Sequence, residues 1–344
     1  MDEQGEPVWD LKQVWEYGSM GVWECETIYC QLLSVNGHRP TLPAGRQAPT
    51  ANDKMSEANV IKKIIGFFIT KIILGIAAIA GAVIFIESVL RPLLEKLKIS
   101  DELIKGIIGI TEAAAAVFIY ILLFSFYEKR KITELSFSSL GKSANLGFFT
   151  GFLLQSLFIF IIFLAGGYTI IQVNPFSDLI PALTMALTAG FVAEIIIIGV
   201  VFRLIENQFG TSVSIIIMIL LFIIAHSGVK DGNLVSVLST SINAGLLLPA
   251  AYVFSRNLWL PIFLHFAWDF TEPGIYGAIN PSISITKSLF ESKISGSRLI
   301  TGGPLGPQNS IQALIICLIT GFIFLWLAKR KNNLIPFSTS VKVW

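Results

Sequence analysis

Long apolar stretches alternate with short polar ones from residue 64 to residue 328. A helix needs about 20 apolar residues to cross the hydrocarbon core of a bilayer. We therefore predict spans at about 64–90, 106–127, 146–166, 179–203, 212–227, 234–254, 258–271 and 309–328. The seventh is short, so we expect its helix to begin at the interface and to end inside the protein beside a cavity. The pattern predicts an all-α fold, a polytopic membrane bundle of about eight transmembrane helices.

The first 54 residues differ from the rest of the chain. They show neither a helical nor a strand period, and they lack the apolar segment of a signal peptide. We predict that 1–54 is either a disordered tail or a non-native extension ahead of Met55, where the sequence begins to resemble a membrane protein. The remainder divides into N-terminal transmembrane helices at 55–139, a transmembrane core at 140–330 and a short tail at 331–344.

Composition and charge support the membrane assignment. The chain is 53% hydrophobic and 14% charged, whereas soluble domains average about 25% charged residues. Its net charge of +2 and its lack of a basic stripe argue against a nucleic-acid partner. The clusters Lys129–Lys131 and Lys329–Lys331 fall on one side of an eight-span path. By the positive-inside rule, we expect a multi-pass protein, in a bacterial plasma membrane, with both termini in the cytoplasm.

Four ionisable side chains stand out in the core of the predicted spans: Glu194, His226, His265 and Asp269. A charge at the centre of a membrane helix costs about 2.5–3.5 kcal/mol, so such residues are candidates for function by default. His265 and Asp269 are four positions apart and share a helix face. Each also has a structural interpretation: Glu194 could cross-link helices, His226 could lie at the interface, and Asp269 could end a helix.

The order and spacing of these residues resemble the CPBP family. That family groups CAAX prenyl endopeptidases with bacteriocin-processing and bacteriocin-immunity membrane proteins, and is also called the Abi family. The stretch "FIIAH" matches its FxxxH motif with Phe222 and His226, and "HFAWD" matches HxxxN or HxxxD with His265 and Asp269. The stretch "EIIIIGVVFR" aligns with the EExxxR motif. The resemblance covers about residues 140–328.

The resemblance implies a CPBP-like, catalytic-type core with its site in an intramembrane cavity. It implies an endopeptidase whose partners are the lipid bilayer and a membrane-embedded or lipid-modified peptide substrate. The candidate catalytic residues are then Glu194, His226, His265 and Asp269. A motif-one glutamate and the motif-two histidine would activate water, and the third motif would support the oxyanion. Zinc is one candidate cofactor, since Glu194, His226 and His265 would leave a fourth position open for water.

The first motif departs from the family pattern. Ala193 stands where its first glutamate belongs, and Ile198 stands where its arginine belongs. Hydrolysis by Glu194 together with a histidine is therefore one outcome. The alternative is an inactive relative that binds a membrane peptide or acts as an immunity protein. A proton-coupled transporter is a third hypothesis, and the lack of an internal repeat argues against it. We expect the Gly- and Pro-rich segment 301–310 to be a connector, with a lid as the alternative.

Overall fold

The computed structural model describes residues 67–278 and 287–337. The predictions for residues 1–54, including the proposed start at Met55, lie outside the described residues. Within these described residues, six helical segments are long and apolar enough, by length and composition, to cross a membrane. They are Phe68–Glu95, Asp101–Glu128, Phe137–Leu164, Phe176–Phe209, Leu234–Ser255 and Ile311–Arg330. The predicted polytopic helical bundle is confirmed. Shorter helices take the places of the predicted fifth and seventh spans.

The elements follow one another in a simple order. The first helices are α1 (Phe68–Glu95), α2 (Asp101–Glu128) and α3 (Leu140–Leu164), and the strand β1 (Tyr168–Val173) follows them. The middle of the chain forms α4 (Ile180–Thr188), α5 (Arg203–Phe209), α6 (Thr211–His226), α7 (Leu234–Ile242) and α8 (Leu248–Ser255). Next come α9 (Trp259–Phe270), β2 (Phe290–Ile294), α10 (Arg298–Thr301) and α11 (Ile311–Arg330).

Polar side chains mark where several of these helices begin. The Ser100 hydroxyl accepts a hydrogen bond from the Leu103 amide at the start of α2. Asn233 and Ser236 cap the start of α7 reciprocally, each side chain accepting from the other residue's backbone amide. Ser310 does the same for α11. Such caps satisfy amides that have no partner within the helix, which matters most where water is scarce.

Four π-helical stretches lie within or beside the central helices in the described part of the chain. Two stretches, Ala189–Ala193 and Ile195–Phe202, join α4 to α5 and lie on either side of Glu194. A third, Asn243–Leu247, joins α7 to α8, and a fourth stretch, Thr271–Ile275, extends α9. The i to i+5 pairing of a π-helix is rare and is frequent at functional sites. Because it widens the turn, side-chain directions deduced from an α-helical wheel do not hold around Glu194.

Glycines let α9 approach its neighbours closely. A Cβ atom built on Gly147 or Gly151 of α3 would lie 2.3 Å from the carbonyl oxygen of Leu260 or Leu264, respectively. A Cβ built on Gly190 would lie 2.9 Å from the amide nitrogen of Phe266. Small residues of this kind are typical of membrane helix interfaces, where packing rather than the hydrophobic effect drives association. The backbone of α9 is thereby fixed on two sides.

A short hairpin closes one end of the bundle. The strands β1 and β2 pair antiparallel, from Tyr168 opposite Ile294 to Val173 opposite Phe290. The Tyr168 hydroxyl donates to the carbonyl oxygen of Tyr276, which ties the hairpin to the end of the π-helical extension of α9. The apolar periodicity does not predict this pair of strands, because they lie in polar connections between spans.

A buried ion network lies at the opposite end. Arg203 donates to Glu128 at 2.9 Å, and Arg130 donates to Glu134 at 2.6 Å. The Tyr120 hydroxyl also donates to Glu134 at 2.6 Å. Burial by itself raises the pKa of Glu134, but the hydrogen bonds from Arg130 and Tyr120 and the nearby charge of Arg203 outweigh it and lower the pKa to about 2. The network holds the loop between α2 and α3 against α5.

The chain after α11 packs against the same end. The Thr211 amide donates to the carbonyl oxygen of Ile335 at 3.0 Å, and the Ile335 amide donates to the Thr211 hydroxyl at 2.8 Å. Arg256 bridges Glu206, at 2.6 Å, and the carbonyl oxygen of Asn333. The described part of the predicted tail, residues 331–337, is therefore hydrogen-bonded to the core.

Candidate active site

His265 lies between two carboxylates. Its Nδ1 is 2.8 Å from Glu194 Oε1, and its Nε2 is 3.3 Å from Asp269 Oδ2. The His265–Asp269 contact joins consecutive turns of α9, as the four-residue spacing predicts. The Glu194–His265 contact joins α9 to the π-helical part of the fourth span. Glu194 is fully buried, and its other oxygen, Oε2, has no hydrogen-bond partner among the described residues.

His226 lies at the end of α6, apart from this trio but on the same cavity. Its Nδ1 is 3.0 Å from the carbonyl oxygen of Phe222, one turn earlier in the helix. A carbonyl oxygen only accepts, so Nδ1 carries the hydrogen of this bond. In the neutral ring, Nε2 then has a free lone pair. The FxxxH spacing thus fixes the tautomer of His226.

A cavity of about 330 Å³ lies between the helices. His226, His265 and Asp269 line it, whereas Glu194 does not. Other lining residues include apolar side chains of the π-helical joint and of α9, and neutral polar ones of α7: Leu247, Leu264, Trp268, Ser236 and Thr240. The cavity is therefore largely apolar with a few convergent polar groups, as is typical of ligand sites.

Neither of the positions that depart from the first motif gives Glu194 a charged partner. Ile198 is fully buried, in the core between the helices. Arg203 does not replace the missing arginine, because it donates to Glu128 and to the carbonyl oxygen of Gly199. The polar partner of Glu194 is His265 instead.

Zinc does not fit the residues that the resemblance implied. Among residues 67–278 and 287–337, no three His, Cys, Asp or Glu side chains form a group that could hold a metal ion. The reason is visible at His265, whose two ring nitrogens already face Glu194 and Asp269. A nitrogen in such a contact has no lone pair directed at a metal, so Glu194, His226 and His265 do not make a ligand set.

Sequence reasoning missed Glu272, a buried acid in the π-helical extension of α9. It is fully buried. Its Oε1 accepts from the Gln308 backbone amide at 3.1 Å, and its Oε2 accepts from the side chain of Gln155 at 3.2 Å. The signal was present in "DFTEPG", since Glu272 follows an apolar span directly, but Pro273 and Gly274 made a turn the simpler interpretation.

Glu272 holds part of the 301–310 segment as a wall of the cavity. The Gln308 side chain accepts from the Trp268 indole at 2.8 Å, and its carbonyl oxygen accepts from the Ser239 hydroxyl at 2.7 Å. Asn309 accepts from the Thr240 hydroxyl at 2.7 Å. Leu305, Gln308 and Asn309 line the cavity. The segment is more than a connector between spans, because it lines the cavity of the candidate site.

A comparison with protein families matches residues 175–271 to the family described as Rce1-like, type II CAAX prenyl endopeptidase. This segment contains Glu194, His226, His265 and Asp269, the residues of all three motifs. This match supports membership of the CPBP family, which includes CAAX-type intramembrane proteases that act on membrane-associated peptides. The apolar helices of the chain indicate an integral membrane protein. Searches of curated proteins and of solved structures gave no match.

The family match covers the residues of all three motifs, and these residues lie around or beside the cavity. The motif residues come from three separate helical regions that pack around one cavity: the fourth span, the end of α6, and α9. His226, His265 and Asp269 face that space directly, and Glu194 reaches it through His265. The match also ends at residue 271, so Glu272 and the 301–310 wall lie beyond it.

Proposed function

We propose that this protein is an active intramembrane endopeptidase that cleaves membrane-embedded or lipid-modified peptides. The observation that carries the proposal is the position of His265. This ring is held between two carboxylates at the wall of a cavity that also contains His226. An imidazole oriented by a buried acid beside a second histidine is an arrangement suited to general acid–base chemistry.

The cavity walls suit a peptide that arrives from the bilayer. Leu247, Leu264 and Trp268 offer apolar surface to side chains or to a lipid, and the hydroxyl oxygens of Ser236 and Thr240 can accept hydrogen bonds from peptide amides. Because the cavity lies among membrane-spanning helices, a peptide anchored in the bilayer reaches it without leaving the membrane. We further propose that both termini are cytoplasmic, since the clusters Lys129–Lys131 and Lys329–Lys331 follow α2 and α11 at one end of the bundle.

In this proposal His265 provides positive charge, and His226 transfers protons. His265 can place a positive charge beside the developing oxyanion of the substrate. His226, with Nδ1 donating to Phe222, can accept a proton at Nε2 from water or pass one to the leaving amine. Cleavage then needs one water, which attacks the peptide carbonyl carbon.

The test is reconstitution of the purified protein in liposomes with a panel of lipid-anchored and transmembrane peptides. We expect wild-type protein to cleave at least one peptide, and His265→Ala to lose at least 100-fold in rate. The matched control is Asp178→Asn, which removes an acid that pairs with Lys287 outside the cavity. Equal rates for His265→Ala and Asp178→Asn would refute the proposal.

A specific observation also favours a second candidate, an inactive peptide-binding relative. Ala193 and Ile198 replace two members of the first motif, and Glu194 does not line the cavity. For this candidate, wild-type protein binds the panel peptides without cleaving them. The double variant Ala193→Glu with Ile198→Arg would then gain cleavage that the wild type lacks. Cleavage by the wild type would exclude it.

A further inference from the structure

We propose, building on the endopeptidase function above, that Asp269 is the general base that activates water, and that Glu194 is a positioning residue for His265. This reverses the roles that the family pattern gives to the first and third motifs. The proposal rests on which carboxylate faces the cavity, which is a property of the packed helices.

Glu194 is poorly placed to take a proton from substrate water. Its side chain has no exposed surface, and it does not line the cavity. Its Oε1 lies 2.8 Å from His265 Nδ1, and its Oε2 is enclosed by protein. A general base has to come within hydrogen-bond distance of the water that it activates. The contact that Glu194 does make is the one that orients an imidazole ring.

Asp269 has the access that Glu194 lacks. It lines the cavity, and about 10% of its side chain is exposed there. Only Oδ2 contacts His265, at 3.3 Å. Among the described residues, no hydrogen bond engages Oδ1. A carboxylate with one oxygen on an imidazole and the other directed to open space can accept a hydrogen bond from water.

His265 is unsuited to be the base itself. An ionised carboxylate only accepts hydrogen bonds, and His265 has one on each ring nitrogen. The arrangement therefore favours a ring that donates from both nitrogens and has no lone pair to offer. Such a ring can supply positive charge to the oxyanion.

Ala193 leaves the first motif one carboxylate short, and Asp269 supplies a carboxylate at the cavity wall. An ionised aspartate cannot donate to an oxyanion as an amide can. A carboxylate at position 269 is therefore better suited to accept a proton from water than to support the oxyanion.

The reaction balances with these groups. Water donates a proton to Asp269 as its oxygen bonds to the carbonyl carbon, and the carbonyl π electrons move to the oxygen beside His265. The tetrahedral intermediate collapses, the C–N bond breaks, and its electron pair stays on nitrogen. The proton held by Asp269 then reaches the leaving amine, directly or through Nε2 of His226. The products are a carboxylic acid and an amine.

Asp269→Asn separates the two roles. Asparagine keeps the shape and an acceptor for His265 but cannot take a proton. We expect kcat to fall at least 100-fold with KM within about threefold, the contribution typical of a general base. We expect Glu194→Gln, which keeps an acceptor for His265 Nδ1, to lose only about tenfold. Wild-type or higher activity in Asp269→Asn would overturn the proposal, because an amide can donate to an oxyanion but cannot act as a base.

Two further variants distinguish the loss of a base from misfolding. Asp269→Glu keeps the carboxylate and should retain a measurable rate, and formate should restore part of the rate of Asp269→Ala. A purely structural role for Asp269 gives no formate rescue, and that result would overturn the assignment. Failure of the wild type to cleave any peptide would instead overturn the endopeptidase function, so the two failures are distinguishable.

Discussion

Gly190→Ala tests whether close packing sets the contact between Glu194 and His265. A Cβ at position 190 would lie 2.9 Å from the amide nitrogen of Phe266, whereas ordinary contacts begin at 3.4 Å. The two backbones therefore have to separate by about 0.5 Å. Phe266 follows His265 directly, and Glu194 is four residues from Gly190. The Glu194–His265 distance would grow from 2.8 Å to about 3.3 Å, which weakens this hydrogen bond.

Overpacking of this kind costs about 1–3 kcal/mol of stability. We expect the melting temperature in detergent to fall by several degrees and the cleavage rate to fall about tenfold, since small misplacements of catalytic groups are costly.

Gly81→Ala is the matched control, because a Cβ at Gly81 of α1 would have no atom within 4 Å. Alanine at an exposed helical position should leave the rate unchanged and stability equal or about 0.5–1 kcal/mol higher. If Gly190→Ala matches Gly81→Ala in both melting temperature and rate, the reasoning about close packing is refuted.

Two other predictions concern groups away from the reacting atoms. The pKa of Glu134, lowered to about 2 from 4.5, implies about 3 kcal/mol of stability that is present above pH 4.5 and lost as pH falls toward 2. Denaturation at several pH values should show this loss of stability in the wild type, and Glu134→Gln should lack it. If the free energy of unfolding depends on pH in the same way in both proteins, the role of the network is contradicted. Glu272→Ala removes the acceptor of the Gln308 amide, so a cysteine placed by Leu305→Cys should react faster with a maleimide. Unchanged labelling would show that Glu272 does not hold the cavity wall.

The sequence by itself determined the class of the fold and the four polar residues worth examining. Apolar runs are a local property, and a bilayer forces every backbone polar group within such a run to pair inside a helix. The helical bundle therefore follows from the order of the residues. Glu194, His226, His265 and Asp269 stand out for the same reason, because an ionisable group in an apolar run is costly and needs a partner.

Only the tertiary structure decided which of these groups faces the cavity. That depends on how each helix is rotated about its axis. The π-helical stretches around Glu194 and the glycine contacts at Gly147, Gly151 and Gly190 fix the rotation and approach of the helices. These contacts join residues that are far apart in the chain, so no local pattern contains them. They bury Glu194 behind His265 and leave Asp269 on the cavity wall.

The role of residues 305–309 as a wall of the cavity was also decided only by the tertiary structure. Its Gly- and Pro-rich sequence is compatible with a connector, a lid or a wall, because composition describes the flexibility of a segment and not its contacts. The hydrogen bonds from Gln308 to Glu272 and from Trp268 to Gln308 decide between them. Both join positions at least 36 residues apart, and they exist only once α9 and the start of α11 have packed around one space.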